Sequence, residues 1–214
     1  MTAQLPARVL VATRNAGKLV ELRPMFAAIG REVVDLDSAG VPETPDEDAI
    51  EAFDTFEANA LAKARHFHRA SGGLPTVADD SGLEVLALGG APGVRSKSYA
   101  TAAPGQSQTQ ANNDRLLQAL ASEEDRRGRF VCAVAFVDAD RELVVRGETT
   151  GVITREARGA GGFGYDPLFL SDDLGQTLAE AGPEAKARVG HRGRAFVALT
   201  AALGAVPPSG PSAG

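Results

Sequence analysis

Short apolar runs alternate along the chain with longer segments whose apolar residues recur at helical spacing. The short runs are rich in β-branched residues and bounded by turn residues, as strands are, whereas the longer segments fit amphipathic helices. The predicted strands cover residues 8–12, 32–36, 76–78, 129–137 and 142–153. The predicted helices cover residues 18–29, 49–70, 106–121 and 194–203. This pattern predicts strands and helices mixed along one chain, with no flexible linker and no internal repeat.

The segments between these elements carry strong turn and loop signals. Residues 37–48 form an acidic loop, and Asp138-Ala139-Asp140 predicts a hairpin between the two strands that flank it. The run from Gly159 to Pro167 is too rich in glycine for a helix and predicts a shaped loop. Residues 205–214, with three prolines, predict a disordered tail, which leaves residues 1–204 as a single domain.

Composition narrows the classes of function. A net charge of −6 argues against a protein held to nucleic acid, because such proteins use a basic surface to displace counterions. Residues 1–11 resemble neither a secretory signal nor a membrane span, so we expect no membrane partner and a cytoplasmic location. The single cysteine, Cys132, lies in an apolar run and is expected to be a buried, inert thiol.

The loop Thr13-Arg14-Asn15-Ala16-Gly17-Lys18 joins a predicted strand to a predicted helix. Backbone N–H groups at a helix N-terminus favour a phosphate, and Thr13, Asn15 and Lys18 add donors beside them. The spacing is not that of a Walker A loop. Taken alone, an ordinary strand-to-helix turn is the simpler interpretation.

Adjacent carboxylates follow the third predicted strand in Asp79-Asp80-Ser81-Gly82. Two such acids at a strand end repel each other unless a cation or a donor compensates them. A hard divalent cation would do so, and Mg²⁺ needs only one or two carboxylates together with water and phosphate oxygens. An acidic turn that caps the next segment is the alternative.

Basic and aromatic residues elsewhere are further candidates for ligand contacts. Lys63, Lys186, His191 and Arg192 are cationic or titratable, although single basic residues usually lie on the solvated surface. Gly190 and Gly193 flank His191-Arg192 and would allow close backbone approach to a ligand. Phe163 and Tyr165 flank Gly164 and could stack on a purine, yet either could equally be a core aromatic.

Together these segments resemble the inosine triphosphatase family, whose members are pyrophosphatases of non-standard purine nucleoside triphosphates. The resemblance extends from about residue 9 to residue 199 and depends on five blocks in the family's order. The blocks are Ala12-Thr13-Arg14-Asn15-Ala16-Gly17-Lys18 with Glu21, Phe56 through Asn59-Ala60 to Lys63-Ala64, Ala78-Asp79-Asp80-Ser81-Gly82-Leu83, Gly161-Gly162-Phe163-Gly164-Tyr165-Asp166-Pro167, and His191-Arg192-Gly193. The resemblance implies an α/β fold in which a long mixed β-sheet has helices on both sides and two lobes enclose a central nucleotide-binding cleft. It also implies a homodimer.

The resemblance implies a role for each matching residue. Asp80, Lys18 and Lys63 would be catalytic, with Asp80 and Glu51 holding Mg²⁺ and Asp80 activating water for in-line attack on the α-phosphorus. Glu51 precedes Lys63 at the family's spacing, although the neighbouring run Asp46-Glu47-Asp48 leaves the register open. The substrate, a small nucleoside triphosphate such as ITP, dITP or XTP, would be bound by Thr13, Asn15, Lys18, Ser81, Phe163, Gly164, Tyr165, Asp166, Lys186, His191 and Arg192.

Three positions depart from the family pattern. Ala58 stands where the family usually has glutamate before the asparagine, and the acid is Glu57 instead. Residues 95–98 replace a common Tyr-Ser-Ala-Arg, and Gly190 replaces a frequent serine. These changes bear on selectivity, so a pyrophosphatase of other altered nucleotides is one rival hypothesis. A nucleotide-binding regulatory module without turnover is another, although the acid pair argues against it.

Overall fold

The computed structural model describes residues 5–45 and 47–204, and the predicted disordered tail lies outside them. The α/β fold is confirmed. The strands are β1 (Arg8–Val11), β2 (Glu32–Val34), β3 (Thr76–Val85), β4 (Arg127–Val137), β5 (Glu142–Ile153) and β6 (Phe169–Ser171). The α-helices are α1 (Ala16–Ala28), α2 (Phe56–Ala70), α3 (Gln108–Ala119), α4 (Pro183–Val189) and α5 (His191–Ala202). No helix within these residues has the length and apolar character needed to cross a bilayer.

The six strands form one mixed sheet in the order β2-β1-β3-β4-β5-β6. Strand β1 is parallel to both β2 and β3, whereas β5 and β6 are antiparallel. Strands β4 and β5 are neighbours joined by four residues, and Asp138 N donates to Arg141 O over 3.0 Å. So short a connection permits only antiparallel strands, which confirms the predicted hairpin.

The chain folds into two compact units, and it passes from the first to the second between Asp80 and Ser81. Unit 1 comprises the described residues within 1–80, 133–146 and 194–214. Unit 2 comprises residues 81–132 and 147–193.

In unit 1, the parallel pairing of β1 with β3 determines where the predicted phosphate loop lies. The register ends with Val11 opposite Val77, and Ala12 N donates to Val77 O over 2.8 Å. Residues 12–15 therefore lie beside the segment 78–80 of β3. Helix α1 is anchored behind this loop by Phe26, which is fully buried and meets Phe196 edge-on at 4.9 Å between ring centroids.

Unit 2 has its own apolar core, built from α3, β3, β4 and the segment 153–178. Leu116 and Leu120 of α3 are fully buried in it, whereas Leu117 is only partly buried. The other buried members are Leu83, Val85, Phe130, Ile153, Tyr165, Leu168, Phe169 and Leu178. Cys132 is buried, as expected.

Two predicted boundaries are wrong. Strand β3 does not end before Asp79 but continues to Val85, because the buried Leu83 and Val85 extend the strand beyond the acids. The predicted helix 49–70 is a 3-10 helix over Glu47–Glu51 followed by α2, which begins only at Phe56. The interruption arises because Thr55 is extended and its side chain caps α2 by accepting a bond from Ala58 N. Helix α4 and strand β6 were not predicted.

Candidate functional site

Asp79 and Asp80 lie in β3 just beyond the last residue paired with β1, so their surroundings come from the loop 12–18 and from α2. Both side chains are buried, with Asp79 2% and Asp80 8% exposed. Burial of two adjacent carboxylates requires compensation by cations or hydrogen-bond donors. The compensating groups come from Lys18, Asn59 and Lys63.

Lys18, in the first turn of α1, compensates Asp79. Its Nζ lies 3.0 Å from Asp79 Oδ2 and donates to Asp79 O over 3.4 Å. Lys63 Nζ, from α2, donates to the same carbonyl oxygen over 3.4 Å. The two ammonium groups therefore converge on one point of β3, although Lys18 and Lys63 are far apart in sequence. This convergence is what a bound polyanion requires.

Asp80 is held by Asn59, a residue for which the sequence suggested no role. Asn59 is 1% exposed, and its Nδ2 donates to Asp80 Oδ2 over 2.9 Å and to Phe53 O over 3.1 Å. Burial raises the pKa of Asp80 to about 6, although the Asn59 hydrogen bond and the charge of Lys18 act in the opposite direction. A carboxyl group that titrates near neutrality is a candidate proton acceptor.

Glu51 ends the 3-10 helix and pairs with Lys63, whose Nζ lies 2.5 Å from Glu51 Oε1. Burial alone would lower the pKa of Lys63, but the carboxylates of Glu51 and Asp79 outweigh it and raise that pKa. Glu51 in turn helps to raise the pKa of Asp80 through its negative charge. Glu51 and Asp80 are therefore close enough to interact electrostatically, as a shared cation site requires.

The loop residues Thr13 and Asn15 shape the N-terminus of α1. Asn15 is its N-cap, with Oδ1 accepting from Lys18 N over 3.2 Å, and Thr13 Oγ1 accepts from Asn15 N over 3.2 Å. This capped turn holds Lys18 in the first turn of the helix, where the helix dipole also favours an anion.

In unit 2, charged residues that are far apart in the sequence lie around the ring of Phe163. Lys186 Nζ lies 4.8 Å and Arg192 Cζ 5.7 Å from the centroid of its ring. Lys186 Nζ also pairs with Asp166 Oδ2 at 2.6 Å, and the same oxygen accepts from Phe163 N over 2.8 Å. Arg192 Nη2 donates to Ser81 Oγ over 2.9 Å. Phe163, Asp166, Lys186, Arg192 and Ser81 thus form one polar and aromatic cluster.

The glycine-rich loop gives this cluster its shape. Gly162 and Gly164 have positive φ values of 71° and 63°. A Cβ at Gly162 would collide with the carboxylate of Asp166, so only glycine lets that carboxylate reach Phe163 N. At the end of α4, a Cβ on Gly190 would meet Lys186 O at 2.5 Å, so this backbone favours glycine at that position.

Tyr165 and His191 lie in the interior of unit 2 instead. Tyr165 is 4% exposed, and its hydroxyl donates to Ser96 O over 2.9 Å. Its ring is therefore a core aromatic that is unsuited to stack on a base, whereas the ring of Phe163 is half-buried. His191 is 5% exposed and stacks on Phe130, with 4.7 Å between centroids and 12° between planes.

The chain is an α/β protein in which unit 1 has a cluster of cations and buried carboxylates, and unit 2, taken by itself, has a cluster of cations around an aromatic ring. The chain belongs to the Ham1 family, whose model matches residues 9–202. It is 46% identical over 207 residues to a dITP/XTP pyrophosphatase of Aromatoleum aromaticum, covering 95% of this chain and 100% of that one. It is 47% identical over 206 residues to a dITP/XTP pyrophosphatase of Mycobacterium tuberculosis, covering 93% of this chain and 96% of that one.

Solved structures show the same fold. A HAM1 protein from Coxiella burnetii superposes with a TM-score of 0.79 at 33% identity, covering 94% of this chain and all of that one. A structure titled nucleoside-triphosphatase / dITP/XTP pyrophosphatase from Mycobacterium abscessus gives a TM-score of 0.68 at 42% identity, covering 90% of this chain and 98% of that one. The family resemblance expected from the five sequence blocks is confirmed.

Proposed function

We propose that the chain hydrolyses non-standard purine nucleoside triphosphates, namely ITP, dITP and XTP, to the monophosphate and pyrophosphate. The relatives named as dITP/XTP pyrophosphatases support this reaction over nearly the whole chain. The observation that carries the proposal is the convergence of Lys18 and Lys63 on Asp79, beside an Asp80 whose pKa is about 6. A pyrophosphatase that removes these nucleotides would cleanse the nucleotide pool.

Mg²⁺ fits the donor set of unit 1. Asp80 and Glu51 offer hard carboxylate oxygens, and burial of Asp80 leaves it in need of a nearby cation. No group of three or more His, Cys, Asp or Glu suited to a metal occurs among residues 5–45 and 47–204, but Mg²⁺ commonly retains water and takes phosphate oxygens as its remaining ligands. Mg²⁺ bound here would offset negative charge on the phosphates and on the departing pyrophosphate.

The side chains of unit 1 have separate roles in the proposed reaction. Asp80 orients a water molecule for in-line attack on the α-phosphorus and accepts its proton, for which a pKa near 6 is suited. Lys18 and Lys63 exchange their carboxylate partners for phosphate oxygens and neutralise the charge that develops. Thr13 and Asn15 add donors at the N-terminus of α1.

In unit 2, the same proposal assigns the purine to the cluster around Phe163. The ring stacks on the base, and Lys186 and Arg192 donate to the O6 acceptor of inosine or xanthosine. Adenine presents an amino donor at that position, so its binding would leave buried donors unsatisfied. Asp166 orients Lys186, Ser81 orients Arg192, and Gly164, Tyr165 and His191 contribute through the shape of the loop and of the α5 start. The cytoplasmic location and the homodimer implied by the resemblance remain proposals.

Hydrolysis of ITP with and without Mg²⁺, with the phosphate product identified, tests the proposal. We expect pyrophosphate release that requires Mg²⁺, and a loss of at least about 10²-fold in kcat for Asp80→Asn. Asp140→Asn, the same change at an exposed residue of the turn between β4 and β5 and outside the proposed site, is the control. Near-normal hydrolysis by Asp80→Asn would refute its role, and equal turnover of ITP and UTP would refute purine selectivity.

A further inference from the structure

Arg14 lies between Thr13 and Asn15 in the loop before α1, yet its hydrogen bonds go to Glu47, Asp37 and Val41 and not to the acid pair. Its guanidinium reaches instead toward the segment between β2 and α2. Only 24% of its side chain is exposed, although the loop lies at the surface. A guanidinium this well covered has a defined set of partners.

One guanidinium group holds three points of that segment. Arg14 Nε and Nη2 donate to the two carboxylate oxygens of Glu47 over 3.2 and 2.9 Å. Nη2 also donates to Val41 O over 3.0 Å, and Nη1 donates to Asp37 Oδ1 over 3.1 Å. The hydrogen bond from Arg14 lowers the pKa of Glu47, whose side chain is 15% exposed. A bidentate pair with a further backbone acceptor has a defined geometry, unlike a mobile surface ion pair.

The segment that Arg14 contacts, from Asp37 to Glu47, leads directly to Glu51, a proposed metal ligand. Glu47 begins the 3-10 helix Glu47–Glu51, and Glu51 ends it one turn later. Arg14 is flanked by Thr13 and Asn15. Its bidentate pair with Glu47 therefore joins the proposed triphosphate loop to the short helix that ends at Glu51. A shift at Glu47 would therefore move Glu51 relative to Lys63 and Asp80.

We propose that Arg14 is a positioning residue that couples the triphosphate loop to the Glu51 carboxylate and thereby sets the affinity for the divalent cation. This inference depends on the proposed function. It assigns Arg14 no contact with substrate and no part in base selection. Arginine is required at this position, because lysine keeps the charge but cannot donate two parallel hydrogen bonds to the Glu47 carboxylate.

Binding of Mn²⁺, followed by electron paramagnetic resonance in the presence of α,β-methylene-ITP, tests the inference without turnover. We expect Arg14→Lys and Glu47→Gln each to weaken Mn²⁺ binding about tenfold, as loss of an outer hydrogen-bond partner of a metal ligand commonly does. The double variant should be no weaker than either single variant, because both remove one interaction. In the metal-free chain, cleavage by a glutamyl endopeptidase after Glu43 or Glu47 should be faster in Arg14→Lys.

Arg23→Lys is the matched control, since Arg23 of α1 pairs with Asp35 at the other end of the same segment. It should bind Mn²⁺ within twofold of the parent chain. Unchanged Mn²⁺ binding in Arg14→Lys, or equal weakening in Arg23→Lys, would overturn the inference while leaving the proposed function intact. If the parent chain neither binds Mn²⁺ with the analogue nor hydrolyses ITP, the proposed function and the inference both fall.

Discussion

At the scale of single residues, the burial of Asp80 makes the stability of the chain depend on pH. Its pKa in the folded chain is about 6 against an ordinary 3.8, so the folded state binds the proton more tightly than the unfolded state. For a group whose folded pKa is raised, the stabilising contribution is complete below the ordinary pKa and is lost as the pH rises through the folded value. The metal-free chain should therefore lose unfolding free energy between about pH 4 and pH 7.

Asp80→Asn should remove this loss. The new amide oxygen can still accept from Asn59, while Lys18 and Lys63 keep Asp79 and Glu51 as partners. We expect the metal-free variant to be more stable than the parent chain at pH 8, by on the order of 2–3 kcal/mol, and equally stable below pH 4. Urea unfolding across this pH range measures the difference.

Asp125→Asn is the opposite control. Its hydrogen bonds from Arg127 lower the pKa of Asp125 to about 2, so its stabilising contribution is present at neutral pH and lost on acidification. At pH 8, Asp125→Asn should therefore be less stable than the parent chain, whereas Asp80→Asn should be more stable. Parallel pH profiles for the parent chain and Asp80→Asn would contradict the assigned environment of Asp80.

Residue types predicted which side chains lie close together in unit 1 better than they predicted the surroundings of single residues. Lys18, Lys63, Glu51 and Asp80 were found from loop chemistry and from the family spacing, and the structure brings them together. The role of Asn59 could not be predicted, because an asparagine in a helix gives no sign that it will face a buried acid. The signal that Tyr165 is a core residue was equally absent, since an aromatic beside glycine fits a stacking platform as well as a core.

At the scale of elements, the start of α2 decides how the proposed metal ligands are spaced. Thr55 is exposed, and its Oγ1 accepts from Ala58 N over 3.2 Å, which ends the non-helical stretch after Glu51. Thr55→Ala removes this cap and should cost about 1 kcal/mol of unfolding free energy. Thr55→Asp keeps a capping oxygen and should remain within about 0.5 kcal/mol of the parent chain. Equal losses in both variants, measured by urea unfolding, would show that capping is not the cause.

The start of α2 could not be predicted from the local sequence. Ile50, Phe53, Phe56 and Ala60 are spaced three or four residues apart, so periodicity alone predicts one long helix across residues 52–55. Besides the Thr55 cap, Asn59 stabilises the break, because its side chain accepts from Phe53 N and donates to Phe53 O. Glu57, one position away from the family's usual glutamate, pairs with Arg146 Nη1 at 2.9 Å. Such side-chain contacts between distant residues leave no mark on local sequence patterns.

At the scale of the whole molecule, the net negative charge of the chain opposes binding of the proposed nucleoside triphosphate. The chain carries −6 and a nucleoside triphosphate about −4, so binding depends on local cations that outweigh the general repulsion. Lys63 already pairs with Glu51, one of the two proposed metal ligands, and it can turn to phosphate if another cation takes over that carboxylate. The proposed Mg²⁺ would do this, which makes nucleotide and metal binding mutually dependent.

Thermal unfolding can detect this dependence without turnover. A ligand that binds only the folded chain stabilises it by about 2.7 kcal/mol at a hundred times its Kd. We expect α,β-methylene-ITP to raise Tm clearly with Mg²⁺ and only slightly with EDTA, corresponding to at least a tenfold difference in Kd. Phe163→Ala should reduce the shift given by the analogue with Mg²⁺, because it removes the proposed stacking contact with the base, worth about 1–3 kcal/mol. An equal rise in Tm with Mg²⁺ and with EDTA would mean that the lysines alone hold the triphosphate and that Asp80 and Glu51 need no metal.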